Sequence, residues 1–181
     1  MKTTIARLRT ALAAGVLLAT IVAAQEMQMP KPAPEMERVK FLIGNWDLNG
    51  EYLKSTMIPQ GGKSTGWYKG QLGPGGFSVI ADFESEGPLG KEIGHQLFTW
   101  DAKQNAYTVV TIGNFPGVII GRAHWEGENL VTETEFEFAG AKMSNRAVYT
   151  KLQDKSVHIE ESSRLNNGPS EPIWKADATK K

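Results

Sequence analysis

The chain has 181 residues, with 20 basic and 20 acidic side chains, three histidines and no cysteine. Without thiols there is no disulfide framework, thiolate metal site, thiol nucleophile or lipid-modified cysteine, so stability has to come from a hydrophobic core. No basic cluster is present to track a phosphate backbone, and nucleic-acid binding is not expected.

Residues 1–24 carry a basic start (Lys2, Arg7, Arg9), an apolar run from Ala11 to Val22 and small residues at Ala23 and Ala24. This three-part pattern predicts a secretory signal peptide cleaved after Ala24. Its apolar core of about a dozen residues is short for a helix crossing a hydrocarbon layer of roughly 30 Å, so no stable membrane insertion is expected once the signal is removed. Cleavage would leave 17 basic against 20 acidic residues. Residues 25–34 contain three prolines and little that can pack, and read as a flexible leader. The folded domain is expected over 35–179, a length that suits one core.

Pro34 and Glu35 open a segment in which Met36, Val39 and Phe41 or Leu42 fall near helical spacing, predicting one to two turns of helix ending at Gly44. From Asn45 the apolar period changes to two. Phe77, Val79, Ala81 and Phe83 alternate with Ser78, Asp82 and Glu84; Leu130, Thr132, Thr134, Phe136 and Phe138 alternate with Glu133, Glu135 and Glu137. About ten such runs are separated by turn residues, among them Gly61-Gly62, Gly73-Pro74-Gly75-Gly76, Gly87-Pro88, Lys103-Gln104-Asn105, Phe115-Pro116-Gly117, Gly127-Glu128-Asn129 and Asn166-Asn167-Gly168-Pro169. Consecutive hairpins make an up-and-down meander, and closing it removes both edges. The acidic face of 133–137 argues against a lipid-facing barrel.

Gly44-Asn45-Trp46, after a short helical turn and at the start of the first strand, resembles the Gly-x-Trp fingerprint of the calycin superfamily of ligand-binding barrels. A broader set, Phe41 to Trp46, Gly73 to Phe77, Gly94-His95, Trp100-Asp101, Tyr107 and Arg146, resembles a bacterial family of exported, lipocalin-like proteins known as a domain of unknown function. The resemblance implies a calycin-type barrel and no particular activity. In such a barrel Trp46 would plug the closed end, with Arg146 or Lys175 supplying a cation across its indole.

Local motifs for chemistry are sparse. Gly62-Lys63-Ser64-Thr65 imitates the end of a phosphate-binding loop, but Met57 stands where the first glycine belongs and a strand follows instead of a helix. His95, His124 and His158 show no i, i+2 or i, i+4 pairing, so a zinc site is not expected. A single histidine could hold haem, as in nitrobindin-type barrels of similar length, with His158 the best-placed candidate; its neighbours of equal parity, Glu160, Ser162 and Arg164, instead suggest a solvated face. His124 shares a face with Arg122, and the rarity of buried arginine favours Trp125 pointing inward. Serines such as Ser144 and Ser162 have no nucleophile elbow around them.

The sequence therefore predicts an all-β, about ten-stranded antiparallel up-and-down barrel of calycin type with a short N-terminal helix. It would be exported to the periplasm or beyond, and would bind a small hydrophobic or amphipathic ligand without transforming it and without a resident cofactor or metal. The expected cavity residues are Trp46, Phe77, Phe83, Phe136, Phe138, Arg146 and Tyr149. A haem-binding barrel with enzymatic or sensor activity and an envelope interaction protein with a filled barrel are the competing readings.

Overall fold

Ten strands pair antiparallel in chain order, and the first pairs back with the last to close the sheet. They are β1 (Gly44–Tyr52), β2 (Gly62–Leu72), β3 (Ser78–Gly87), β4 (Gly90–Asp101), β5 (Ala106–Gly113), β6 (Ile119–Glu126), β7 (Asn129–Phe138), β8 (Ala141–Gln153), β9 (Ser156–Leu165) and β10 (Ser170–Lys180). The computed structural model describes residues 30–181 except Ala139 and Asp154. The expected signal peptide and residues 25–29 of the expected leader lie outside the described residues.

Closure follows from the period-two pattern: each strand has one apolar face, and a closed sheet turns all ten toward one core and leaves no unpaired edge. Two of the expected turns use asparagine in the left-handed region, Asn105 at φ 49° and Asn166 at φ 52°, where a short polar side chain is tolerated better than a branched one. The β1–β10 seam joins Trp46 to Lys180 and Tyr52 to Trp174. In β10 the register slips between Pro172 and Trp174. Proline lacks an N–H for the ladder and is accommodated at such a bulge.

The N-terminal helix is of 3₁₀ type, spans Pro34–Leu42 and buries Met36, Val39 and Leu42. It is longer than the expected one to two turns, because its apolar residues find partners in the barrel end: Val79, Phe98, Tyr107, Val109, Ala123 and Leu130 belong to the same buried cluster. Tertiary packing thus sustains a 3₁₀ run longer than the type usually reaches. Polar contacts fasten it further. The Tyr107 hydroxyl donates to Glu35 O at 2.6 Å and accepts from Trp125 Nε1 at 3.3 Å, and the Arg38 guanidinium lies 4.1 Å from the centre of the Trp125 ring. This end of the barrel is plugged.

Tyr107→Phe keeps the ring but leaves the Glu35 carbonyl and the Trp125 N–H without that partner. The expected loss is about 1–3 kcal/mol, measured by urea denaturation; no change would mean that the hydroxyl does not help hold the plug.

Candidate functional site: the barrel cavity

Above the plug the interior holds a cavity of about 230 Å³. Its walls change character along the barrel axis. Toward the plug they are Phe41, Leu42, Trp46, Leu48, Tyr68 and Val157; toward the other end, where β1 meets β2 and β3 meets β4 through their loops, they are Tyr52, Ser64, Ser85, Glu92, Glu161 and Trp174. An apolar floor and a polar mouth result.

Glycines shape two of these walls. Phe83 pairs with Gly94 across β3 and β4, and a Cβ on Gly94 would sit 2.6 Å from the Phe83 ring. Only a residue without a side chain lets that ring lie against β4 and face the cavity. Gly50 likewise lies under the Trp174 indole, whose Nε1 would be 2.9 Å from an added Cβ. The indole crosses β1 there and donates to Ser64 Oγ on β2 at 2.8 Å.

Two carboxylates face the same space from opposite walls. Glu161 shares its strand face with Val157 and Ile159, and Glu92 shares its face with Gln96 and Phe98. Burial pushes the Glu161 carboxyl up to about 7, with the charge of Glu92 adding to the rise and a hydrogen bond from Asn145 opposing it. That bond is 2.7 Å long, and Asn145 is itself held by Ser163 Oγ at 2.7 Å. Burial also raises the Glu92 carboxyl. The Tyr52 phenol is pushed up to about 12, first by burial and then by both carboxylates, and burial followed by the Glu161 charge pushes Tyr149 to about 12. Deeper in, Trp46 Nε1 and the Tyr68 hydroxyl are buried and have no hydrogen-bond partner among the described residues.

Of the residues expected in the cavity, Trp46, Phe83 and Tyr149 line it. Phe77, Phe136, Phe138 and Arg146 are placed elsewhere. Phe77 belongs to the turn before β3, outside the alternation, and is 40 % exposed. Phe136 and Phe138 have the inward parity, but β7 runs past its last paired residue on β6, Thr134 opposite Gly121. They stand at the rim, with Phe138 56 % exposed. Arg146 points outward and pairs with Glu126 at 2.7 Å, as its alternation with the inward Asn145 and Tyr149 requires.

The cation over Trp46 is neither Arg146 nor Lys175, which pairs with Glu51 at 3.4 Å. It is Lys180, 5.3 Å from the indole centre and directly opposite Trp46 in the ladder. Trp125 does pack against the core, while His124 lies outside, 3.1 Å from Glu126. Sequence reasoning missed Glu92, Glu161 and Trp174. For Glu161 a signal existed, since it continues the apolar parity of Val157 and Ile159.

All three histidines are engaged by acids on the outer side of the sheet. His95 Nδ1 is 2.7 Å from Asp82, and His158 Nδ1 is 2.7 Å from Asp177 with its Nε2 3.6 Å from Glu160. None lines the cavity, so no imidazole is placed there to ligate a haem iron. Among the described residues no group of three or more His, Cys, Asp or Glu side chains could hold a metal ion.

The same arrangement of strands occurs in proteins of known structure. Rv2717c from M. tuberculosis superposes with a TM-score of 0.59 at 12 % identity, over 83 % of this chain and 99 % of that one. The fold is a calycin-like barrel. The S-type phycobiliprotein lyase CPES from Guillardia theta follows at a TM-score of 0.50 and 9 % identity, over 81 % of this chain and 90 % of its own. No family model and no curated protein matches the chain in sequence. At these identities the calycin-like likeness is one of fold.

Proposed function

We propose that this protein is exported and that its barrel binds a small amphipathic molecule without transforming it. The observation that carries the reading is the cavity's gradient from an apolar floor to a polar mouth, which matches a ligand with one apolar and one polar end. A space of about 230 Å³ is smaller than the roughly 300–1,000 Å³ of pockets for drug-sized molecules, so the ligand is small. Export is supported by the basic start, apolar core and small residues of 1–24.

Ser85 supplies the test. It lines the cavity, is half-buried and shares the inward face of β3 with Val79, Ala81 and Phe83. Ser85→Trp places an indole in the mouth without removing anything from the plugged end. Mass spectrometry of molecules extracted from protein made in its own host is expected to find a stoichiometric compound in the wild type and none in Ser85→Trp. Equal retention by both would put the ligand outside the barrel.

A further inference from the structure

We infer that the ligand's polar end is a protonated amine, held in the cavity mouth between Glu92 and Glu161 while its apolar part lies against Trp46, Tyr68 and Val157. The inference rests on the ligand-binding reading above and specifies the ligand's class. Glu92 on β4 and Glu161 on β9 reach one cavity from strands on opposite sides of the closed sheet. Carboxylates placed this way repel each other and lose hydration, and such a pair needs a cation or a proton to be stable.

The protein does not supply that cation: among the described residues no Lys, Arg or His ion-pairs with either carboxylate. Yet elsewhere the chain pairs its acids freely, as in Glu84 with Lys91 at 2.7 Å, just before Glu92 in β4. One Glu161 oxygen is fixed by Asn145, which orients the carboxylate. An independent feature is the cavity itself, which runs on from the two carboxylates to an enclosed apolar floor of Trp46, Leu48, Tyr68 and Val157 and gives the apolar part of the same ligand a place to lie. A divalent metal fits less well, because calcium takes six to eight oxygen ligands and among the described residues no third His, Cys, Asp or Glu side chain is placed to hold a metal ion together with the pair. An alkylammonium needs only two or three acceptors and brings its own apolar surface to the floor.

Isothermal titration calorimetry with hexylamine, hexanol and hexanoate separates the possibilities, because the three differ only in the polar end. Hexylamine is expected to bind at least about tenfold tighter than hexanol, in line with the strength of charge-assisted hydrogen bonds, and hexanoate weakest. In Glu92→Gln/Glu161→Gln the amine's advantage is expected to fall to about twofold or less, with hexanol still bound; circular dichroism checks the fold.

Amine affinity in the wild type is also expected to rise from pH 6 to 8, as the Glu161 carboxyl, pushed up to about 7 by burial, ionises while the alkylamine stays charged. The other ionisable groups lining the cavity are the Tyr52, Tyr68 and Tyr149 phenols, from β1, β2 and β8, and Glu84 from β3, which is ion-paired to Lys91. All three phenols are raised and stay neutral over that range. Hexanol binding as tightly as hexylamine would overturn the inference and leave the ligand-binding reading standing. Displacement of hexylamine by millimolar calcium would overturn it in favour of an inorganic cation, and no binding of any of the three would overturn both.

Discussion

Glu161→Gln is expected to make the protein more stable at pH 8, by up to about 3 kcal/mol, and to flatten its stability against pH. The carboxyl titrates near 7 in the folded state against an ordinary value of 4.5, and each unit of difference corresponds to about 1.4 kcal/mol. The sign follows from linkage. The folded state holds this proton more tightly than the unfolded chain, so the contribution is fully present below about 4.5 and is lost as pH rises through about 7. Above that range the native barrel carries a desolvated charge facing Glu92. Glutamine keeps the acceptor that Asn145 Nδ2 uses and removes the charge. Urea denaturation at intervals from pH 4.5 to 8 measures this. Wild type and variant should converge at the acid end and separate at the alkaline end. Glu160→Gln, one residue away and exposed on the outer face, should track the wild type within about 0.5 kcal/mol. Parallel curves for Glu161→Gln and wild type would mean that the carboxylate is solvated through the cavity mouth.

Phe98→Ala is expected to cost about 3–5 kcal/mol, the usual range for removing a buried aromatic ring. Phe98 is 0 % exposed and belongs to the cluster in which Met36 and Val39 of the N-terminal helix meet the barrel interior. The change removes transfer energy and leaves a void at the plugged end, where strands and helix constrain collapse. Phe77→Ala, at a residue in the turn before β3 and 40 % exposed, should cost less than about 1 kcal/mol. Denaturation midpoints compare the two, and similar losses would contradict the inward and outward assignments around β3 and β4.

Both predictions turn on which way a side chain points, and this was only partly legible in the sequence. Strands with clean alternation read directly. In β7 Leu130 and Thr132 are buried while Glu133, Glu135 and Glu137 are exposed, because opposite faces of one strand meet opposite environments; only Val131, on the face of the acids, is buried as well. The same rule misplaced Phe136 and Phe138, since alternation says which side a residue faces and not whether a neighbouring strand is still beside it. Phe77 was misplaced by counting parity through a turn. In β10 the slip between Pro172 and Trp174 resets the alternation, and no local pattern announced that Trp174 would reach the cavity. The hairpins β7–β8 and β8–β9 carry weaker turn signals than the others, and neither was among the turns read from the sequence.

The amino-acid sequence by itself determined the β class, the order of the strands and the short helix before the first of them, because period-two alternation, turn residues and proline act over a few neighbouring positions. Only the tertiary structure decided which residues share the cavity. Glu92 and Glu161 are 69 positions apart and on opposite walls, Ser64 and Trp174 are 110 apart, and Lys180 meets Trp46 only because β10 returns to β1. These meetings depend on register, bulge position and closure of the whole sheet, which are set by the packing of all ten strands together.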